Sequence, residues 1–451
     1  MIAAALAVAA LAAAAWCAGG LAVPPREPGE GRAGHAGLTT LAGLCLLAAA
    51  LAFAGALGAP RVAVTGIAIA VVTAGAVARR RRTARAPRPV AAPGLAREVA
   101  ALAPFVVLGH VGVLAALSGP PIDHDTTVIW FQKMQEAAEV YPPELRSAHA
   151  TWPYQFHPHY PRGLAWLEAT AWPVGEPDAR LVRLVPLLFT LAITLAMANA
   201  AERTGNVLGG FLAASLTLAV SDVARSMHVG LSDVPLGGSV LLTGLALTRF
   251  RETGKGLPLV AVAAAGAGSI KAEGMVLVLA VGLFVAGRTA LRPARWRDEL
   301  LPAVAILGLA IPWWLRARNP GPGVGYVVPT MLQDPAYFLE RLASTPRHLF
   351  LLLVDPAANQ PTQLPPGSVP RSQVAWAVLA SLAVLAPRRA KGIVAWPAVV
   401  LLLADFAVYV ATPSAIAWHI ATSAQRLLVQ ALPLLALAAI LRMTAPRSAA
   451  R

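Results

Sequence analysis

Long apolar runs, separated by short clusters of Arg, Gly and Pro, recur from one end of the chain to the other. A helix that crosses a bilayer needs about 20 mostly apolar residues. Thirteen stretches meet or approach that length: Ile2 to Val23, Leu38 to Gly58, Val62 to Ala78, Val99 to Ser118, Leu181 to Ala201, Val207 to Ser221, Val234 to Thr248, Leu257 to Ile270, Met275 to Gly287, Leu300 to Leu315, Val374 to Ala386, Ile393 to Val410 and Leu427 to Leu441. The first run has no positively charged start, and Trp16 before Cys17 fits a lipoprotein cleavage site poorly, so it reads as a helix and not as a signal peptide. The pattern predicts an all-α polytopic membrane protein, a bundle of about 13 transmembrane helices.

Composition agrees with the pattern. Hydrophobic residues make up 57% of the 451 and charged residues only 13%, against about 25% charged in soluble domains. The mean hydropathy is +0.63. A net charge of +15 would suit a nucleic-acid binder, but the apolar runs leave no soluble scaffold to carry a basic groove. Cytoplasmic loops of membrane proteins collect Lys and Arg. With the cluster Arg79 to Arg97 placed inside and the spans alternating from there, 23 basic residues fall inside and 14 outside, counting Arg183 at the outer end of its span, while acids divide 7 to 14 with Asp405 the one acid deep in a span. The positive charge is therefore a signal of topology. Two cysteines, Cys17 and Cys45, both within apolar runs, provide no disulfide framework and no thiolate metal site. A phosphate-cradling loop, a dinucleotide motif and a zinc motif are all missing from the cytoplasmic segments, which argues against a nucleotide-driven pump.

The same topology leaves two long segments outside, Gly119 to Arg180 and Ala317 to Ser372. Loops of that length within a compact protein are usually functional. The first contains two short amphipathic pieces, Thr127 to Val140 and Gly163 to Trp172, with Trp130, Trp152, Trp166 and Trp172 suited to a membrane interface. Both are expected to lie along the outer surface. Leu257 to Ile270 and Met275 to Gly287 are short for a bilayer, so the turn joining them, Ser269 to Gly274, should sit recessed below that surface.

Candidate chemistry gathers on this outer side. Asp123 and Asp125 follow directly after a span, where an acid is either solvated as a loop start or functional. Two carboxylates at that spacing could also bind a divalent cation, with His124, His157 or His159 as further ligands. No cofactor is required by the sequence. Asp233 stands at the outer mouth of its helix, either as an N-cap or as a second acid. Asp405 lies deep in a span, with a partner the sequence does not name.

The stretch Asp125 to Lys133, followed by His157-Pro158-His159-Tyr160-Pro161-Arg162-Gly163, resembles the first external loop of bacterial GT-C glycosyltransferases, relatives of protein O-mannosyltransferases and lipid A aminoarabinose transferases. Ser232 to Leu236, Ile270 to Gly274, and Trp418 to Ser423 with Arg426 extend the resemblance, in order, over residues 99 to 441. Arg162 and Gly163 replace the usual apolar residues after Tyr-Pro. The resemblance implies an integral enzyme of the plasma membrane with its active site on the extracytoplasmic side. It would take a sugar from a polyprenyl phosphate to an extracytoplasmic glycan, lipid or protein, with inversion. Membrane lipids are then its surroundings, and nucleic acid is not a partner.

On that reading Asp125 is the general base, with Asp123 as the alternative. Lys271 and Arg426 hold the donor phosphate, unless Lys271 is a snorkelling lysine paired to Glu273. Trp130, Lys133, His159, Tyr160, Asp233, Glu273 and His419 would line the donor or acceptor pocket. The chain divides into an extension with a basic linker (1–97), a core with the catalytic loop 119–180 (98–316), and an external loop with the last helices (317–451). The competing class is a transporter or flippase that moves a polyprenyl lipid or small molecule without covalent transfer. Such proteins place polar groups at the midplane on broken helices in repeated halves, whereas here the charges gather at one interface.

Overall fold

The computed structural model describes residues 2–27, 30–85, 130–138, 160–172, 178–220, 223, 226, 231–291, 300–317, 334–354, 373–385, 392–411 and 416–444. Every regular element among them is helical. In chain order they are α1 (Ile2–Gly19), α2 (Arg32–Ala56), α3 (Arg61–Arg85), α4 (Gln132–Ala137), α5 (Gly163–Ala171), α6 (Leu181–Arg203), α7 (Val207–Ala219), α8 (Asp233–Thr253), α9 (Leu257–Ile270), a 3₁₀ turn (Ala272–Gly274), α10 (Met275–Leu291), α11 (Leu301–Gly308), α12 (Ile311–Ala317), α13 (Pro335–Val354), α14 (Gln373–Leu385), α15 (Trp396–Ala411) and α16 (Ile416–Met443). Among the described residues, five segments are long and apolar enough to cross a membrane: Ile2–Gly19, Arg32–Ala56, Arg61–Arg82, Leu181–Arg203 and His419–Met443. The expected span at 99–118 lies outside the described residues.

The core is built on α2, α6, α8, α9 and α16. Helices apolar on every face must be buried on every face, and α2 and α8 meet that condition, buried from Gly34 to Ala54 and from Asp233 to Phe250 with few breaks. Of the three N-terminal helices α2 is central, packed along α6 and α9, while α1 and α3 are mostly unburied. Around this core the outer helices turn apolar side chains outward: Leu208, Leu212 and Leu216 on α7, Leu279 and Leu283 on α10, and Leu403 on α15. Exposed rows of leucine suit a hydrocarbon solvent.

Local chemistry sets several helix ends. The Gly31 amide, ahead of α2, donates to the Glu202 carboxylate of α6 at 2.6 Å, so a distant acid serves the helix dipole where no local cap exists. Asn206 caps α7 by accepting from the Gly209 amide at 3.0 Å. Gly254 and Gly256 have φ of +67° and +95°, left-handed conformations that glycine adopts without strain. They turn α8 into α9 within three residues, and Pro258 starts the new helix.

The expected spans differ from the helices at three places. The run 300–315 divides into α11 and α12, because Pro312 has no amide to donate and its ring crowds the carbonyl four residues earlier. The last helix begins at Ile416 and not at Leu427, so Trp418 to Arg426 lie within it and not before it. Its polar residues are turned into protein, and Ser423 Oγ and Thr422 Oγ1 donate back to the His419 carbonyl at 2.6 and 3.2 Å. The external segment 317–372, finally, holds the amphipathic helix α13.

Candidate functional site

Asp233, Lys271, Glu273 and Arg426 come from three segments far apart in sequence and meet in one place. Lys271 Nζ lies 2.7 Å from Asp233 Oδ1 and 3.1 Å from Glu273 Oε1. Arg426 Nε donates to Asp233 Oδ2 at 3.2 Å, and Gln430 Nε2 donates to Asp233 Oδ1 at 2.7 Å. Asp233 is fully buried and Lys271 nearly so, while Arg426 and Glu273 keep part of their side chains exposed. The cluster therefore has a closed floor and a half-open rim.

Local structure explains the convergence. Asp233 is the first residue of α8, one place after the N-cap Ser232, and its carboxylate accepts from three donors on other segments. Lys271 is extended, at φ −149° and ψ 150°, between the end of α9 and the 3₁₀ turn. Arg426 and Gln430 are four residues apart on α16 and so share a face. The turn is covered by the start of α5. A Cβ on Gly163 would collide with the Ser269 carbonyl and stand 2.9 Å from that of Ala48, so a side chain at 163 would lift α5 from the turn.

A second group stands next to this contact. The Trp130 and Tyr160 rings stack at 6.1 Å with 22° between planes, and Lys133 Nζ lies 5.8 Å from the centre of the Tyr160 ring. Arg162 ties α4 to the core by an ion pair with Glu136 at 2.6 Å and by stacking over Trp313. Trp130 is buried, and its indole N–H has no hydrogen-bond partner among the described residues. Burial, together with the Arg162 charge, brings the Lys133 ammonium down to about 7, against a smaller opposing pull from Glu136. In the unfolded chain this lysine keeps its proton to an ordinary pKa near 10.5. Between the two values the unfolded state binds more protons, so stability rises with pH from about 7 upward and is flat below. The unfolding midpoint in detergent should therefore climb from pH 7 to 9.5, and Lys133→Met should flatten that slope; an unchanged slope in the variant would show that the lysine is not the titrating group.

His419 packs edge-on against Tyr409, centroids 5.1 Å apart, within electrostatic reach of Glu273 and Arg341. Asp123, Asp125 and His159 lie outside the described residues. The sequence does not single out Gln430, although it was legible as a polar residue one turn after Arg426 inside an apolar run. Asp405, whose partner was open, lies on the buried stripe of α15 near Glu273, Lys271 and Asp233, and among the described residues neither of its carboxyl oxygens has a hydrogen-bond partner. Glu168 on α5 is likewise buried with neither oxygen bonded among the described residues, and burial raises its pKa well above the usual carboxylate value. Among the described residues no group of three or more His, Cys, Asp or Glu is arranged to hold a metal ion.

Opposite charges also gather at the far end of α8. Arg249 and Arg203 meet Glu27 and Glu30 there, and Arg203 also pairs with Glu252 at 3.0 Å. From Asp233 to Arg249 a helix rises about 25 Å at 1.5 Å per residue, so the two clusters stand nearly a hydrocarbon thickness apart. No family model, no characterised protein and no solved structure matches this chain at a significant level.

Proposed function

We propose that the protein is an integral membrane glycosyltransferase of the GT-C kind, transferring a sugar from a polyprenyl phosphate to an acceptor hydroxyl outside the cytoplasm. One observation carries the reading. Three of the four segments on which the resemblance rests, around Asp233, Lys271 and Arg426, converge on one buried, half-open cluster. The far-end cluster supports the sidedness, since it joins the loops around Glu27, Arg203 and Arg249 that an alternating path of about 13 spans puts together inside.

The chemistry follows from the residues. The acceptor hydroxyl loses its proton to Asp125 as its oxygen bonds the anomeric carbon, and the bond from that carbon to the phosphate oxygen breaks on the opposite face. The departing polyprenyl phosphate keeps the electron pair and gains a negative charge. Lys271 and Arg426 are placed to stabilise that charge, which a fixed cation in a low-dielectric recess does strongly. Asp233 holds both cations in position. Neither step needs a metal, and a divalent cation bound by Asp123 and Asp125 is an alternative use of those acids.

The test is donor turnover. Purified protein, given a panel of polyprenyl-phosphate sugars, should release the bare polyprenyl phosphate from one of them, and Asp125→Asn should slow release by roughly a hundredfold. Equal rates in the variant would remove Asp125 as the base. A wild type that carries a lipid across liposomes with no bond broken would replace the reading with a flippase.

A further inference from the structure

Helix α3 buries little of itself among the described residues, yet both of its ends are fastened in the same way. Near its C-terminal end Arg79 stacks over the Trp16 ring at 3.5 Å, and Arg82 donates to the carbonyls of Gly20, Leu21 and Val23, just past the end of α1, at 3.1 to 3.2 Å. At its first residue Arg61 reaches two more helix ends at once. Its Nη1 donates to the Ala138 carbonyl, at the close of α4, at 2.8 Å; its Nη2 donates to the Ala169 carbonyl at 3.3 Å and to that of Trp172, both at the close of α5. The last carbonyls of a helix have no partner within it and carry the negative end of its dipole. A guanidinium, with its donors in a rigid planar fork, answers both sets, and α4 and α5 pack against each other beside it. The start of α5 is fixed elsewhere. Arg162 pairs with Glu136 and stacks over Trp313 of α12, and Gly163 lies against the Ser269 carbonyl, two residues before Lys271. From Gly163 to Trp172 the chain rises about 14 Å at 1.5 Å per residue, so α5 bridges from Arg61 to the turn that carries Lys271 and Glu273.

We infer that Arg61 is a positioning residue for the transfer reaction: it sets α4 and α5, and with them the loop that carries the candidate base, against the turn that carries Lys271. This rests on the glycosyltransferase reading and gives the N-terminal extension a part in it. The need follows from where the groups come from. Lys271 and Arg426 belong to the helical core, whereas Asp125 belongs to the loop and is tied by the chain to the start of α4. Base and cations act on one substrate, so loop and core must keep one distance. A clasp that holds them together in advance removes the entropy of assembling them at each turnover. Arg61 itself is set by the core, because only the four residues Leu57 to Pro60 separate it from the end of α2.

The experiment compares wild type, Arg61→Ala, Arg61→Lys and Arg82→Ala in nanodiscs of phosphatidylcholine. It measures amide hydrogen exchange over α4 and α5, affinity for polyprenyl monophosphate, and single-turnover release of polyprenyl phosphate from the donor that wild type uses. Arg61→Ala should speed exchange over both helices, leave the affinity unchanged and slow release about a hundredfold, the effect of misplacing a reacting group by about an ångström. Arg61→Lys, which keeps the charge but not the fork, should recover part of the rate. Arg82→Ala cuts only the tie to α1 and should release at the wild-type rate. Wild-type release in Arg61→Ala would overturn the inference and leave the donor class standing. Equal losses of affinity and rate, or equal losses in Arg61→Ala and Arg82→Ala, would mean that α3 only supports the fold; either overturns it. If Arg61→Ala does not fold, Arg61→Lys carries the test, and full wild-type release in it would overturn the inference. A wild type that releases polyprenyl phosphate from no donor would end both this inference and the reading beneath it.

Discussion

Replacing Asp233 with alanine should destabilise the protein by about 3–5 kcal/mol, the cost of removing one member of a buried charge network. Asp233 is the hub of its cluster, accepting from Lys271, Arg426 and Gln430 while fully buried. Without it, two cations lose a buried acceptor at once, and Glu273 at 3.1 Å still pairs with Lys271. Asparagine keeps the shape and one acceptor but not the charge, so it should fall between wild type and alanine. Thermal unfolding in detergent measures the order. The decisive comparison is Asp233→Ala/Lys271→Met, which removes the stranded ammonium and should be more stable than Asp233→Ala alone, because contacting residues are not additive. Strict additivity would show that the charges do not depend on one another.

Lys271→Met should leave the protein folded and cut sugar transfer by about a thousandfold, the loss seen when a preorganised charge at a reacting centre is removed. The asymmetry with Asp233 is geometric. When the lysine is lost, Asp233 keeps Arg426 and Gln430, whereas loss of the aspartate takes a buried acceptor from both cations at once. The effect should appear mainly in kcat, since the phosphate gains charge as the bond to the sugar breaks and a cation that binds the transition state better than the ground state raises kcat. Single-turnover release of polyprenyl phosphate, with donor binding measured in parallel, separates the two. A variant that binds donor normally and transfers it at the wild-type rate would place Lys271 in the scaffold alone, and the proposed role for the recess would pass to Arg426.

Much of the architecture was legible because the hydrophobic pattern leaves few alternatives. The helix Leu257–Ile270 has the ends read from the apolar run alone, set by the left-handed Gly256, by Pro258 and by the change to Lys271. The long helices at 32–56 and 181–203 needed only their length and composition. Reading stopped where polar residues inside a span face protein. The start of α16 was placed late because Thr422, Ser423, Gln425, Arg426 and Gln430 look like the end of a membrane run, and they do so only while their partners are unknown. Pro312 divided a run that composition had left whole.

For the candidate site, the residue types came from the sequence and the company they keep came from the fold. Lys271 and Glu273 are two residues apart, so their pairing was a fair local expectation. The 2.7 Å contact of Lys271 with Asp233, 38 positions earlier, and the reach of Arg426 from 193 positions away depend on how α8, α9 and α16 pack. Burial has the same origin. A carboxylate at the start of a helix is an ordinary cap until neighbouring helices enclose it, and Asp233 became the hub of a charge cluster because three of them do. By itself the sequence determined that this is a helical protein of apolar segments with its acids and aromatics concentrated in two loops, because periodicity and length are local properties of a chain. Only the tertiary structure decided which of those charges meet, because an ion pair is fixed by distance in space and nothing in the order of residues encodes that distance directly.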